Sequence, residues 1–321
     1  MPIDASTMNP AVTPADIETA AQRIEPYIRR TPVLAIGASD MDLPLAVQLK
    51  LELLQHAGSF KSRGAFSRVL AARSEIPDAG LVAASGGNHG AAVAFVAGQL
   101  GLRAEVFVPS TSPEMKRNRI AQLGASVHVI EGIYDDAQAA ATAHQAITGA
   151  LAVHPYDHVD VVAGQGTMSR ELEQQVGTFD TLIVATGGGG FTAGQAAWFE
   201  SRVRVVSVEP ETSQCLRAAR LAGEPVTVSV SGVAADSLGA RRLGDIAWSV
   251  VKHHVAESVV VSDDSIRAAQ RLFWDRLRLV VEPGGAAALA ALHSGAYVPA
   301  AGERVVVVVC GANCDPLTVV G

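Results

Sequence analysis

Short apolar runs alternate with longer amphipathic segments through the middle of the chain, and no other feature constrains the fold as much. Buried strands are predicted at residues 81–84, 104–108 and 126–130, and each is followed by a segment with helical periodicity. The alternation resumes with strands at residues 181–185 and 203–208. Strands that alternate with helices in this way favour parallel sheets wrapped by helices.

The two ends of the chain extend this pattern. Thr13-Pro14-Ala15-Asp16 has the form of a capping box with proline at the first helical position, and it predicts a helix to about residue 27. A strand is predicted at residues 46–52, a helix at 263–279 and a last buried strand at 305–309. No linker cleanly separates two domains, as would be expected for two sheets joined by double crossings of the chain.

Composition and charge exclude several classes of partner. Of the 321 residues, 18% are charged, and 25 basic against 32 acidic side chains give a net charge of -7 without a basic run. Nucleic acid and anionic membrane surfaces are therefore not expected partners. Residues 1–9 show no secretory signal, the apolar runs are too short to span a bilayer, and three cysteines fit a reducing compartment. These features predict a cytoplasmic protein.

The stretch Gly58-Ser59-Phe60-Lys61-Ser62-Arg63-Gly64-Ala65 places a lysine at the entry to an apolar run. Ser59 is a good N-cap residue, so we predict that Lys61 lies in the first turn of a helix. The positive end of the helix dipole and the Arg63 charge both disfavour an ammonium there and lower its pKa. A solvated surface lysine is the alternative. With a lowered pKa, Lys61 is a candidate nucleophile or Schiff-base former.

Four consecutive glycines, Gly187-Gly188-Gly189-Gly190, lie between a predicted strand and a predicted helix. Their backbone amides, together with the helix N-terminus, would form a cup for a phosphate group. No Gly-Lys-Ser/Thr sequence follows, so the loop is not a P-loop. A dinucleotide fold stays open, because Gly187, Gly189 and Thr192 match its glycine spacing and Glu209 ends the next strand, where a ribose-binding acid would stand. A NAD-dependent oxidoreductase is therefore an alternative.

Three further motifs lie at predicted turns or strand ends. Ser85-Gly86-Gly87-Asn88-His89-Gly90 joins a strand to a helix and gathers hydroxyl, amide and imidazole groups, which suits a carboxylate or a phenolic oxygen. Gly164-Gln165-Gly166-Thr167 is predicted as a loop that opens a helix carrying Glu171. Val309-Cys310-Gly311-Ala312-Asn313 ends the last strand, where α/β folds place ligand contacts.

Five motifs, SFKSRGA, SGGNHG, GQGT, GGGG and CGAN, occur in this order, and together they resemble those of the fold-type-II pyridoxal-phosphate enzymes. The sequence is most similar to the serine/threonine dehydratase family, in the group of serine racemase and threonine ammonia-lyase. The resemblance implies a tryptophan-synthase-β-like α/β fold, with two αβα domains, mostly parallel sheets and the active site in the cleft between the domains. It implies a large cofactor-binding domain, residues 1–73 plus 157–321, and a small domain, residues 74–156.

The resemblance also implies roles for single residues. In that family the lysine of the SFK motif holds pyridoxal 5′-phosphate as a Schiff base, which makes Lys61 the catalytic residue. The cofactor-binding residues implied are Phe60, Lys61, Asn88, Gly187, Gly188, Gly189, Gly190 and Cys310. The substrate-binding residues implied are Ser85, Gly86, Asn88 and His89. Glu209 matches one ligand of a cation site in relatives, but Cys215 stands where an aspartate would be, so no metal is predicted.

The activity implied is dehydration and deamination of L-threonine or L-serine to 2-oxobutanoate or pyruvate and ammonia. The partner implied is a small amino-acid substrate, and the assembly implied is a homodimer or homotetramer. A serine racemase or a β-replacement enzyme of the same fold is the near alternative. Racemases of this group carry a serine where this chain has Gly86, which has no proton to give, so dehydration is favoured. The chain ends soon after Asn313, so we expect no C-terminal regulatory domain.

Overall fold

A computed structural model describes residues 10–320. Residues 1–9, on which the prediction of no secretory signal rests, lie outside the described residues, as does Gly321. The strands of the described part are β1 (Val33–Ile36), β2 (Val47–Lys50), β3 (Leu81–Ala84), β4 (Ala104–Pro109), β5 (Ser126–Ile130), β6 (Leu151–Ala152), β7 (Thr181–Ala185), β8 (Arg204–Pro210), β9 (Val255–Val261) and β10 (Val305–Val308).

The strands form two sheets, and helices connect the strands and cover the sheets. The helices are α1 (Pro14–Ile24), α2 (Lys61–Ala71), α3 (Asn88–Leu100), α4 (Glu114–Gln122), α5 (Tyr134–Thr148), α6 (Val159–Val176), α7 (Gly190–Phe199), α8 (Cys215–Ala222), α9 (Ala235–Leu238), α10 (Asp245–His254), α11 (Asp263–Leu277), α12 (Pro283–His293) and α13 (Leu317–Val320). The capping box predicted for α1 is confirmed, because Thr13 and Asp16 bond reciprocally at its start. Within residues 10–320, no helix combines the length and the apolar character needed to cross a bilayer.

The strands form two sheets, and most of their pairs are parallel. The larger sheet has the order β1-β2-β10-β7-β8-β9, in which β1 and β2 pair antiparallel and the other neighbours pair parallel. The smaller sheet has four parallel strands in the order β5-β4-β3-β6. This arrangement confirms the predicted α/β fold with mostly parallel sheets. The domain boundaries at residues 74 and 156 stay a prediction.

The central strand β10 shows why the sequence predicts this architecture well. Its four valines are all buried, and its neighbours β2 and β7 pair with it in parallel. A continuous apolar run is typical of a strand that is covered on both faces. The alanine-rich helix α12 packs on β7, β8, β9 and β10. Small side chains on α12 allow this close packing, and they add to the main core.

The motif Gly164-Gln165-Gly166-Thr167 was predicted to open a helix, and this prediction is wrong. The motif lies inside α6, which begins five residues earlier at Val159. A Cβ on Gly164 would lie 2.5 Å from the Cβ of Ser67 on α2, and a Cβ on Gly166 would lie 2.7 Å from the carbonyl oxygen of Gly194 on α7. Close approach of three helices, rather than a turn, therefore explains these glycines.

Ser59 does not cap α2, contrary to the sequence prediction. It forms an antiparallel bridge with Gly311, and Phe60 precedes the helix without a side-chain cap. The amide of Phe60 donates a hydrogen bond of 3.1 Å to the carbonyl of Cys310. This pairing joins the entry of α2 to the end of β10, so that Lys61 and Cys310 come to the same place in the fold.

Strand β9 and helix α10 were not predicted from the sequence. β9 lies at the edge of the larger sheet, and several of its residues are partly or fully exposed. An edge strand does not need a continuous apolar run, so its signal is weak. Helix α12 begins at Pro283, a position typical for proline at the first turn, whereas the sequence pattern placed the start at residue 286.

Candidate active site

A cavity lies at the carboxyl ends of β7 and β10. It is lined by the two residues at the start of α2, Phe60 and Lys61, by Asn88 at the start of α3, and by the glycines 187–190 before α7. Cys310 lines it from the end of β10. Parallel strands place their carboxyl ends at one edge of a sheet, which is where α/β folds bind ligands. The structure thus brings together all of the predicted cofactor-binding residues.

Lys61 is the cationic residue of this cavity. Its Nζ donates a hydrogen bond of 2.7 Å to the carbonyl oxygen of Pro155 and lies 5.0 Å from the centroid of the Phe60 ring. Phe60 in turn stacks on Phe191, with ring centroids 3.9 Å apart. The aromatic pair and the carbonyl therefore fix the lysine from two sides, with its amine directed at the cavity wall.

Burial lowers the pKa of Lys61 to about 8, and the negative charge of Glu282 opposes this shift. A lysine with such a pKa is partly neutral near pH 8, as a nucleophile or a proton acceptor requires. The lowered pKa agrees with the sequence prediction, but its cause differs. Arg63 is not the reason, because its guanidinium is buried on the other side of α2 and is paired there.

Arg63 belongs to a buried ion network beneath α2. Its guanidinium donates to both carboxylate oxygens of Glu52, each at 2.8 Å, and to Glu171 at 2.9 Å. Lys50 donates to the second oxygen of Glu171 at 2.5 Å. The network contains two positive and two negative side chains, so its charges balance. Arg63 follows Lys61 by two residues, and its pairing anchors the first turn of the helix that carries the lysine.

The four glycines form the turn between β7 and α7, and no side chain caps this helix. The first amides of α7 are therefore available to a ligand. Tyr156 packs over the loop: a Cβ on Gly188 would lie 2.5 Å from its ring, and one on Gly190 would overlap its carbonyl oxygen. Gly189 has a φ of +87°, which side chains disfavour. Side chains at residues 188, 189 and 190 would therefore clash with their neighbours.

Asn88 is held in place by two side chains that lie far from it in the sequence. Its Nδ2 donates to Glu282 Oε1 at 2.6 Å, and its Oδ1 accepts from Asn313 Nδ2 at 2.6 Å. Asn313 also donates to the carbonyl of Ala57 at 2.7 Å. These partners hold the amide of Asn88 in one orientation. The second hydrogen on its Nδ2 remains available to a ligand in the cavity.

Glu282 is an acidic residue of the cavity that the sequence analysis did not select. It is buried, and its Oε2 has no hydrogen-bond partner among the described residues. Burial raises its pKa, whereas the Lys116 charge and the hydrogen bond from Asn88 oppose the shift. A buried carboxylate oxygen without a partner is costly, so the site is arranged for a group that would satisfy it. A single Glu before Pro283 carries no motif, which is why the sequence did not reveal it.

Cys310 lies at the cavity with its thiol buried. Its Sγ is 3.4 Å from the carbonyl oxygen of Gly284, to which it donates. Burial raises the pKa of this thiol well above its usual range, and the Glu282 charge raises it further. Cys310 is therefore a neutral hydrogen-bonding group rather than a thiolate nucleophile.

The predicted substrate-binding turn is only partly at this cavity. Asn88 lines it, whereas Ser85, Gly86 and His89 do not. Ser85 Oγ accepts a hydrogen bond from the amide of Gly87 at 3.2 Å. The His89 ring is buried and bonds to the carbonyl of Val153 at 2.7 Å, and burial together with the Lys61 charge lowers its pKa to about 3. A neutral ring donates this bond, so the His89 side chain ties α3 to the segment after β6.

Glu209, the acid considered for a cation or a ribose, is engaged with the backbone. Its carboxylate accepts hydrogen bonds from the amides of Leu216 at 2.7 Å and Arg217 at 2.8 Å, at the start of α8. Burial raises its pKa to about 7, and these amides oppose the shift. Cys215 Sγ donates to the carbonyl of Gly187 at 3.1 Å. Residues 10–320 contain no cluster of three metal-binding side chains.

A lysine of lowered pKa and a glycine-rich turn line the same cavity at the carboxyl ends of β7 and β10, an arrangement typical of α/β enzymes that bind a phosphorylated cofactor. The family described as pyridoxal-phosphate dependent enzyme matches residues 24–311. The chain belongs to this family, and its cofactor is pyridoxal 5′-phosphate. This membership favours the pyridoxal-phosphate interpretation over the NAD-dependent alternative.

Relatives of this chain include both lyases and racemases. It is 36% identical over 301 residues to the phenylserine dehydratase of Ralstonia pickettii, covering 92% of this chain and 91% of that one. It is 33% identical over 306 residues to a serine racemase of Oryza sativa subsp. indica, covering 93% and 90%. A solved threonine deaminase, from T.th., superimposes with a TM-score of 0.85 at 34% identity, covering 94% of this chain and 99% of that one.

The residues present fit the cofactor. The glycine cup offers amides to a phosphate, and the unpartnered Oε2 of Glu282 and the free donor of Asn88 line the same cavity as Lys61. Phe60 and Phe191 supply an apolar wall beside the lysine. Such a set of groups matches a ligand that carries a phosphate, a ring with polar substituents and an aldehyde carbon.

Proposed function

We propose that this protein catalyses dehydration and deamination of L-threonine, L-serine or both, releasing 2-oxobutanoate or pyruvate and ammonia. Lys61 is the observation that carries the proposal: a lysine of pKa about 8 in the cavity that also contains the glycine cup. The similarity to a phenylserine dehydratase and a threonine deaminase supports a β-hydroxy amino acid as the substrate.

Several residues of the cavity and of the neighbouring turn have roles in this proposal. Lys61 would form the covalent attachment, and the amides of Gly187 to Gly190 would hold the phosphate. Asn88 would donate a hydrogen bond to the ring oxygen, and Cys310 would lie at the ring nitrogen. The bound cofactor supplies an electron sink for the electrons left when the α-proton is removed. Phe60 keeps water away from the lysine, and Ser85, Gly86 and His89 belong to the turn that receives the substrate carboxylate.

Lys61 moves the proton in this proposal. The substrate amine first displaces Lys61 from its covalent attachment. As a free neutral amine, Lys61 then accepts the proton from the substrate α-carbon, which its pKa of about 8 allows near neutral pH. That proton and the departing β-hydroxyl together make up the water that is released. Lys61 regains its covalent attachment, which releases the enamine, and the enamine hydrolyses to the 2-oxo acid and ammonia.

A second candidate is racemisation of serine, which the similarity to the rice serine racemase supports. Residue 86 itself has no side chain that could return a proton to the substrate. The Ser112 hydroxyl lies where a Cβ on Gly86 would; we expect it to bind the substrate rather than to exchange a proton, so dehydration is favoured. A β-replacement enzyme of the same fold is a further alternative. A cytoplasmic location and a homodimeric or homotetrameric assembly remain predictions from the sequence.

The test is an assay of the purified holoenzyme with L-serine and L-threonine. We expect 2-oxo acid and ammonia in equal amounts, with D-serine as a minor product in chiral chromatography. Lys61→Ala should abolish turnover and the covalent attachment, and borohydride reduction followed by peptide mapping should place the label on Lys61. D-serine in excess over pyruvate would support the racemase instead, and a label on another lysine would refute the assignment of Lys61.

A further inference from the structure

The backbone of the turn at residues 85–88 is covered by a side chain from another loop. A Cβ built on Gly86 would overlap the hydroxyl oxygen of Ser112 and would lie 2.6 Å from the Ser112 Cβ. The hydroxyl of Ser112 therefore occupies the volume that any side chain at residue 86 would take. In this chain, residue 86 provides the space and residue 112 provides the functional group.

The parallel sheet explains how two residues so distant in sequence meet. The turn follows β3 and Ser112 follows β4, and these strands pair in parallel with Ala84 opposite Phe107. Their carboxyl ends therefore lie at the same edge of the smaller sheet. After β4 the chain turns sharply, with the amide of Ser112 donating to the carbonyl of Pro109 at 2.9 Å. This turn directs the serine over Gly86.

The Ser112 hydroxyl differs from the other polar side chains of the turn because it has no partner within residues 10–320. Asn88 is bonded to Glu282 and Asn313, the His89 ring is bonded to Val153, and Ser85 Oγ accepts from an amide of the turn. Ser112 is half-buried, so the residue is not sealed from solvent. A hydroxyl that is fixed in place and not bonded can donate to an anion without first breaking a contact.

We propose that Ser112 is a substrate-binding residue, whose hydroxyl donates a hydrogen bond to the carboxylate of the amino acid. The inference rests on the proposed function in one respect, namely that the ligand is an amino acid received by this turn. It adds a residue from the β4–α4 loop to the substrate site. It also assigns to Gly86 the purpose of making room for this hydroxyl.

The experiment measures ligand binding to the holoenzyme by the change in cofactor absorbance. L-Alanine, which has no β-hydroxyl to lose, is compared with ethylamine, which lacks the carboxylate. Ser112→Ala should weaken the binding of L-alanine about tenfold, as expected for loss of a hydrogen bond to a charged group. The affinity for ethylamine should stay within about twofold of wild type. Ser112→Thr keeps the hydroxyl and should restore the affinity for L-alanine to within about threefold of wild type.

Ser110→Ala is the matched control, because it removes a hydroxyl from the same loop. Ser110 Oγ accepts a hydrogen bond from the amide of Gly132 at 3.4 Å, away from the turn. We expect no change in either affinity for this variant. The proposal would be overturned if Ser112→Ala lost affinity for L-alanine and ethylamine equally, or if it lost no affinity for L-alanine. If the wild-type holoenzyme binds L-alanine but releases no 2-oxo acid from L-serine or L-threonine, the proposed function fails while the comparison of variants still tests Ser112.

Discussion

Asn88 Nδ2 donates a hydrogen bond of 2.6 Å to Glu282 Oε1, across a sequence separation of 194 residues. This bond joins the start of α3, which follows the smaller sheet, to the residue before α12, which packs on the larger sheet. Glu282 thereby acts on two groups of the cavity. It orients the amide of Asn88, and its charge opposes the effect of burial on Lys61.

Replacing Glu282 should therefore change the pH at which Lys61 reacts. Attachment of pyridoxal phosphate to the apoenzyme needs the neutral amine, so its rate should rise with pH and reach half its maximum near pH 8 in the wild type. Glu282→Gln removes a negative charge that favours the ammonium, so the midpoint should move to lower pH. Stopped-flow absorbance across a pH series measures the attachment rate and its midpoint.

Glu211→Gln is the control for this prediction, because Glu211 is exposed and does not line the cavity. We expect its midpoint to equal that of the wild type. A midpoint for Glu282→Gln that stays at the wild-type value, or moves to higher pH, would show that the carboxylate does not act on Lys61.

Gly189→Ala should weaken cofactor binding, and Gly223→Ala should not. Both glycines have a left-handed backbone, with φ of +87° and +81°. Alanine therefore costs about 1–2 kcal/mol of stability at either position. A Cβ on Gly223 meets nothing within 4 Å, whereas one on Gly189 would lie 3.0 Å from Ala247 Cβ and closer still to Leu243.

Titration of each apoenzyme with pyridoxal phosphate tests this pair. We expect the Kd to rise at least about tenfold for Gly189→Ala, a loss of about 1.4 kcal/mol, and less than about twofold for Gly223→Ala. Equal affinities in the two variants would mean that the glycine cup does not bind the phosphate.

Cys310→Ser and Cys310→Asp should differ sharply. Serine keeps a neutral donor of similar size for the carbonyl of Gly284, so we expect kcat within about threefold of wild type. Aspartate places a second buried carboxylate beside Glu282, raises the pKa of Lys61 by charge attraction and holds a proton on the ring nitrogen. We expect kcat to fall at least about tenfold, or about 1.4 kcal/mol in the barrier. Initial rates of 2-oxo acid release measure this difference. Equal rates for wild type and the aspartate variant would mean that Cys310 does not contact the ring nitrogen.

Gly86→Ser should destabilise the protein unless Ser112 is shortened as well. The new Cβ would overlap the Ser112 hydroxyl, and overpacking of this kind costs about 1–3 kcal/mol. Ser112→Gly removes both clashing atoms, so the double variant should recover most of this loss. Urea unfolding of the wild type, both single variants and the double variant gives the coupling energy. Additive effects of the two substitutions would contradict the close packing of these two residues.

The sequence predicts the parts of this protein that depend on local pattern. The run of valines at residues 305–308 predicts a covered strand, and the four glycines predict a loop between β7 and α7, and the structure contains both. Lys61 lies in the first turn of a helix as predicted. In each case the deciding information lies within a few neighbouring residues.

The parts that the sequence does not reveal depend on contacts between distant segments. Glu282 meets Asn88 although the two are 194 residues apart, and Ser112 meets Gly86 because β3 and β4 are neighbours. Gly164 and Gly166 have the spacing of a loop motif in the sequence. In the structure they are small because neighbouring helices pack closely against them. Local pattern cannot encode a partner that lies far away in the sequence.

The buried network of Lys50, Glu52, Arg63 and Glu171 limits how this chain can evolve. Losing one member leaves an uncompensated charge in the core, at a cost of about 3–5 kcal/mol, which is a large share of the stability of a typical domain. Replacing oppositely charged members together by apolar residues of similar volume avoids that cost. We therefore expect these four positions to be inherited as a set, so that a lineage either keeps them all or changes them in balanced pairs.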